Sequence, residues 1–63
     1  MIPLEQRISC VKRELTLRRR CYPGWVASGR IKQHMADMEI ATMEAVLETL
    51  EELRRAQQVE MAV

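Results

Sequence analysis

The sequence predicts an all-α fold: an antiparallel hairpin of two helices that pairs into a four-helix homodimer. Three observations predict it. Apolar residues recur at spacings of 3 and 4 along two long stretches, with one Pro- and Gly-containing corner between them. Two Gly, two Pro and two aromatics in 63 residues are too little turn and strand material for a β-sandwich or barrel. Each stretch also carries two apolar stripes, where a lone hairpin uses one.

The first helix is read at about residues 3–21. Pro3 suits the first helical position, and Glu5 suits the positive end of the helix dipole. At 100° per residue, Leu4, Ile8, Val11, Leu15 and Tyr22 fall within a band about 60° wide. Arg18 takes the remaining place in that seam, where it snorkels to water or pairs with an acid across the interface. A second stripe of Cys10, Leu17 and Cys21 lies about 120° away.

The corner spans 22–31. Pro23 removes a donor and disfavours helical geometry at Tyr22, so two outcomes are open. The helix kinks and continues to about Ser28, or it stops and restarts as a short turn at Pro23. Gly29 is suited to a left-handed helix stop.

The second helix is read at about 32–56, with a tail at 57–63 expected to fray. Ala36, Ile40, Met43, Leu47 and Leu50 repeat at spacings of 4, 3, 4 and 3. Met35, Val46 and Leu53, with Thr42 and Thr49, form a second stripe about 100° away.

Charge supports the antiparallel pairing. Seven bases and two acids give residues 1–30 a charge of +5; three bases and seven acids give residues 31–63 a charge of −4. A basic first helix against an acidic second one is the expected arrangement.

Residues 1–63 thus read as one helical-hairpin domain. A chain of this size buries only about 60% of its unfolded surface. If the first stripe of each helix closes the hairpin, the second would face water. A homodimer is the economical answer, and docking on a different protein is the other. The partner-binding candidates are Tyr22 and Trp25 at the corner, with Val26, and Leu17, Val46 and Leu53 on the second stripes. Aromatic residues at an irregular corner suit a binding anchor, though Trp25 would equally cap a small core.

Nothing in the chain points to an enzyme. His34 stands alone, and Ser9, Thr16 and Ser28 lack a His-plus-acid neighbourhood. No Gly-rich phosphate loop is present. One His and two distant Cys do not make a zinc site. No catalytic residue, cofactor or metal is therefore expected. Cys10 and Cys21, about 16 Å apart along a helix, are too far apart for an intramolecular disulfide. No signal peptide and no apolar run of about 20 residues is found, so the expectation is a cytoplasmic chain with reduced thiols and no membrane partner. The alternative function is a small nucleic-acid-binding factor that uses Arg13, Arg19, Arg20 and Arg30 on the basic side. The acidic second helix opposes it, and no helix-turn-helix spacing is visible.

The run Ile2-Pro3-Leu4-Glu5-Gln6, then Cys10 to Leu15, Arg20, Tyr22-Pro23-x-Trp25-Val26-Ala27-x-Gly29-Arg30 and Ala36-Asp37-x-Glu39-Ile40-Ala41, resembles a family of short uncharacterised proteins of proteobacterial phages and prophages. The resemblance spans roughly residues 2–53, and the corner with the following Ala-Asp-x-Glu-Ile is its most specific part. It implies a small accessory protein that modulates a host or phage factor, and it transfers no catalytic motif. Lys32-Gln33-His34 departs from the Ser or Thr cap expected at the second helix start.

Overall fold

The computed structural model describes the backbone of residues 1–62 and the side chains of residues 1–59. It contains two helices, α1 (Leu4–Ala27) and α2 (Gln33–Ala62), packed against each other as an antiparallel hairpin. The molecule is a rod of 52 × 18 × 17 Å.

α1 opens one residue later than the composition suggests. Pro3 is the cap rather than the first helical residue, with φ −59° and ψ 149°. Its carbonyl accepts from the Gln6 and Arg7 N–H groups at 3.1 and 3.2 Å.

The sequence left two courses open at Pro23, with the corner at 22–31; the helix continues. It runs through Pro23 to Ala27, so the corner shrinks to residues 28–32. Pro23 has no N–H, so the Arg19 carbonyl loses its helical donor, a local cost of a few kcal/mol. Tertiary packing offsets it. Continuing the helix keeps Tyr22 buried in the seam and leaves Val26, one turn on, half-buried beside it.

The stop comes at Gly29, as its composition implies. Gly29 has φ +78°, the left-handed region that other residues adopt at a cost. Its N–H reaches the Val26 carbonyl at 3.1 Å, and the Arg30 N–H reaches the Trp25 carbonyl at 2.8 Å. These two bonds form a Schellman closure, which satisfies carbonyls that the helix end would leave bare.

α2 begins without a side-chain cap. The Lys32 carbonyl accepts from Met35 and Ala36 at 3.1 and 3.0 Å, and no acid lies in the first turn. At the far end the backbone is helical to Ala62, beyond the boundary near 56 that the sequence suggested. The expected tail at 57–63 is helical over its described backbone, and Val63 lies outside the described residues.

The core is the predicted seam. Ile8, Leu15, Tyr22 and Ala36 are buried; Leu4, Val11, Ile40, Met43, Leu47 and Leu50 are half-buried around them. Four buried side chains among the described residues make a thin core for two helices of 24 and 30 residues. Charge reinforces it as the two halves predict. Arg18 bonds Glu39 at 3.3 Å, Arg19 bonds Glu44 at 2.8 Å, and Lys12 lies 3.9 Å from Glu51. Glu5 and Arg54, at 3.3 Å, pair in the opposite sense.

Candidate docking face

The four cross-helix ion pairs set the register: residue i of α1 lies opposite residue about 60 − i of α2. The second stripe of α1 lies about 120° behind its seam, and that of α2 about 100° behind, counted in one rotational sense. With the helices antiparallel and their seams facing, equal rotations carry both stripes to the same side. The ion pairs agree. Lys12–Glu51 and Arg19–Glu44 bridge the opposite side, and Arg18–Glu39 bridges the side of the stripes.

One face of the hairpin is therefore broad and apolar. Leu17, Val46 and Leu53 are 45%, 43% and 46% exposed. Met35 and Cys10 are exposed beside them, and Cys21 is half-buried. Thr42 and Thr49 also lie on this face. Their hydroxyls donate to the Met38 and Ala45 carbonyls, at 2.7 and 3.1 Å. Both hydroxyl protons are thus satisfied within the helix, and covering them leaves no donor unpaired. The charged side chains along it include Arg7, Glu14, Arg18 and Glu39. Arg18 bonds Glu14 at 3.0 Å as well as Glu39, and the Glu14 hydrogen bond holds its guanidinium above the usual arginine range.

At the corner end, Tyr22 and Trp25 stack with centroids 5.4 Å apart and planes tilted by 36°. Arg30 lies over the Trp25 ring, its Cζ 4.6 Å from the ring centroid. Tyr22 is buried, and Trp25 is 36% exposed. The two anchor candidates thus separate: Tyr22 belongs to the core, and Trp25 sits between core and surface. A groove of about 230 Å³ lined by Glu14, Leu17, Arg18, Cys21, Tyr22 and Trp25 joins the corner to the apolar face. Residue-level reading missed the Arg30–Trp25 stack. Its signal was Gly29, because a Schellman closure brings the residue after the glycine back over the residue four before it.

The basic candidates disperse. Arg19 is engaged by Glu44 and Arg30 by Trp25. Arg13 and Arg20 have no ion-pair partner among the described residues, and lie opposite the seam, about two helical turns apart. Their outer edge adjoins the apolar face. His34 is exposed at the start of α2. Among the described residues, no group of three His, Cys, Asp or Glu side chains is placed to hold a metal ion, and no helix is long and apolar enough to cross a membrane. A groove of about 450 Å³ runs over the ion-paired side and is lined by Lys12, Arg19, Glu44 and Glu51 among others. Comparison of the chain with protein-family models, curated proteins and solved structures found no match.

Proposed function

We propose that this chain is a small non-catalytic accessory protein that acts by protein–protein contact. The observation that carries the reading is the placement of both surplus apolar stripes on one face of the hairpin. Leu17, Val46 and Leu53 stand nearly half exposed there, with the Thr hydroxyls already satisfied. Such a face gains by being covered, at about 25 cal/mol per Å² of apolar surface. A homodimer is its first product, and Trp25 at the rim is the anchor for any further protein. Modulation of a host or phage factor in the cytoplasm is part of the same proposal, supported by the sequence resemblance alone.

Nucleic-acid binding is the competing use of the molecule. It would rest on Arg13 and Arg20, since Arg19 and Arg30 are engaged within the hairpin.

Light scattering across a concentration series tests the reading, with wild type beside Leu17→Glu. The expected result is a wild-type mass that rises to twice the chain mass, and a variant that stays at the chain mass. A wild type that remains monomeric throughout contradicts it. A mobility shift on duplex DNA at low salt that fades as salt rises, with a monomeric protein, would transfer the function to the arginines.

A further inference from the structure

Charge is unevenly divided around the rod. The groove on the ion-paired side sets Lys12 and Arg19 against Glu44, Glu48 and Glu51, so acids are in excess there. The apolar side sets Arg7, Arg13, Arg18 and Arg20 against Glu14 and Glu39, so bases are in excess. Arg18 is engaged by both of those glutamates. Arg13 and Arg20 are exposed and pair with no acid among the described residues. On the helix surface they are the i−4 and i+3 neighbours of Leu17, which is 45% exposed. Two unpaired guanidinium groups thus border the apolar row on its α1 edge, about 10 Å apart along the axis. The α2 edge differs. Helical angles put Met38 and Ala45 there, beside Thr42 and Thr49, and none of the four is charged.

The shape of the face selects among occupants. Its stripes run side by side along the rod, about 16 Å from Cys10 to Cys21 and about 27 Å from Met35 to Leu53. Both walls are helices with their backbone groups already paired, so side chains must supply the contact. A third helix laid along the valley covers both stripes at once.

We propose that this face takes an amphipathic helix whose apolar stripe is bordered by acids on one flank. Acids seven residues apart on that flank repeat the spacing of Arg13 and Arg20, while its apolar stripe covers Leu17, Val46 and Leu53. The proposal rests on the docking reading of this face, adds the charge of the partner, and makes that partner a competitor of any second copy. A second copy presenting the same face brings two more unpaired arginines to the two already there. A nucleic acid would meet the arginines but leave the apolar row in water, and it would bring phosphates towards Glu14 and Glu39.

Two synthetic peptides of about 18 residues, enough to span the longer stripe, test this. Both carry leucines at helical spacing; one has glutamates along a flank, and its twin has lysines there. Labelled peptide is titrated with the full chain and followed by fluorescence anisotropy, with light scattering for the mass of the complex. The chain as a whole is near neutral at +1, so a preference reports local charge. At low salt the glutamate peptide is expected to bind roughly tenfold tighter than its twin, and the gap to narrow as salt rises. A chain with Arg13→Glu and Arg20→Glu should reverse the preference. If circular dichroism shows that chain unfolded, Arg13→Gln with Arg20→Gln replaces it and should bind the two peptides alike. Leu17→Gln should weaken both. Equal binding of the two peptides by wild type overturns the acidic partner and leaves the docking reading standing. Binding of neither also overturns the acidic partner, and the docking reading falls with it only if light scattering shows a monomer. Glutamate-peptide binding unchanged by Leu17→Gln is charge attraction alone and overturns the proposal. A short DNA duplex that binds tighter than the glutamate peptide, and loses that binding with the two arginines, overturns it in favour of nucleic acid.

Discussion

Arg18 shows how one side chain serves two demands. It occupies a seam position that periodicity assigns to an apolar residue, and the structure resolves the conflict with its stem along the core and its head between Glu14 and Glu39. The sequence foresaw the choice between snorkelling and pairing; here both occur. Both glutamates are about half exposed, so the pairs contribute little net stability. Arg18→Leu is therefore expected to leave stability unchanged or raise it by up to about 1 kcal/mol, because the glutamates return to water and the seam gains a hydrophobe. Urea unfolding of the two proteins measures this. A loss beyond about 1 kcal/mol would show that the ion pairs hold the hairpin together.

The elements were legible where periodicity is long and illegible where one residue outvotes it. Every seam position read from the sequence is buried or half-buried. The continuation past Pro23 was not decidable, because a local rule against helix competed with packing of Tyr22 and Val26 that exists only once α2 is in place. Two glycines in this segment have opposite roles. Gly24 is helical with open space around its missing Cβ, so Gly24→Ala should stabilise by roughly 0.5–1 kcal/mol. Gly29 has equally open space but φ +78°, so Gly29→Ala should destabilise by about 1–2 kcal/mol. Thermal melts in parallel test the pair, and shifts of the same sign would contradict the account of the corner. The uncapped start of α2 offers a third test. Lys32→Asp supplies both a side-chain acceptor for the first turn and a negative charge at the positive end of the dipole. It should add about 1 kcal/mol, read by the same melts. No gain would mean that the first turn of α2 is satisfied by other means.

The whole molecule is a rod with a thin core on one side and a second apolar surface on another. The surplus of stripes was legible in the sequence. Their meeting on one face was not argued there, although it follows from the same helical angles once the two seams face each other in antiparallel helices. The dispersal of the basic candidates was legible in part. Arg19 finds its partner 25 residues away in the chain, at a distance that no spacing rule reports, whereas the Arg30–Trp25 stack follows from the closure at Gly29. The central claim is that the hairpin is completed by a second copy. The most direct measurement is the thermal midpoint as a function of concentration. If folding and dimerisation are coupled, each tenfold increase in concentration adds about 1.4 kcal/mol, which raises the midpoint by roughly 5 °C for a dimer of this size. A midpoint that climbs in this way for wild type and stays flat for Leu17→Glu is the predicted result. A wild-type midpoint constant over a thousandfold range of concentration would contradict it.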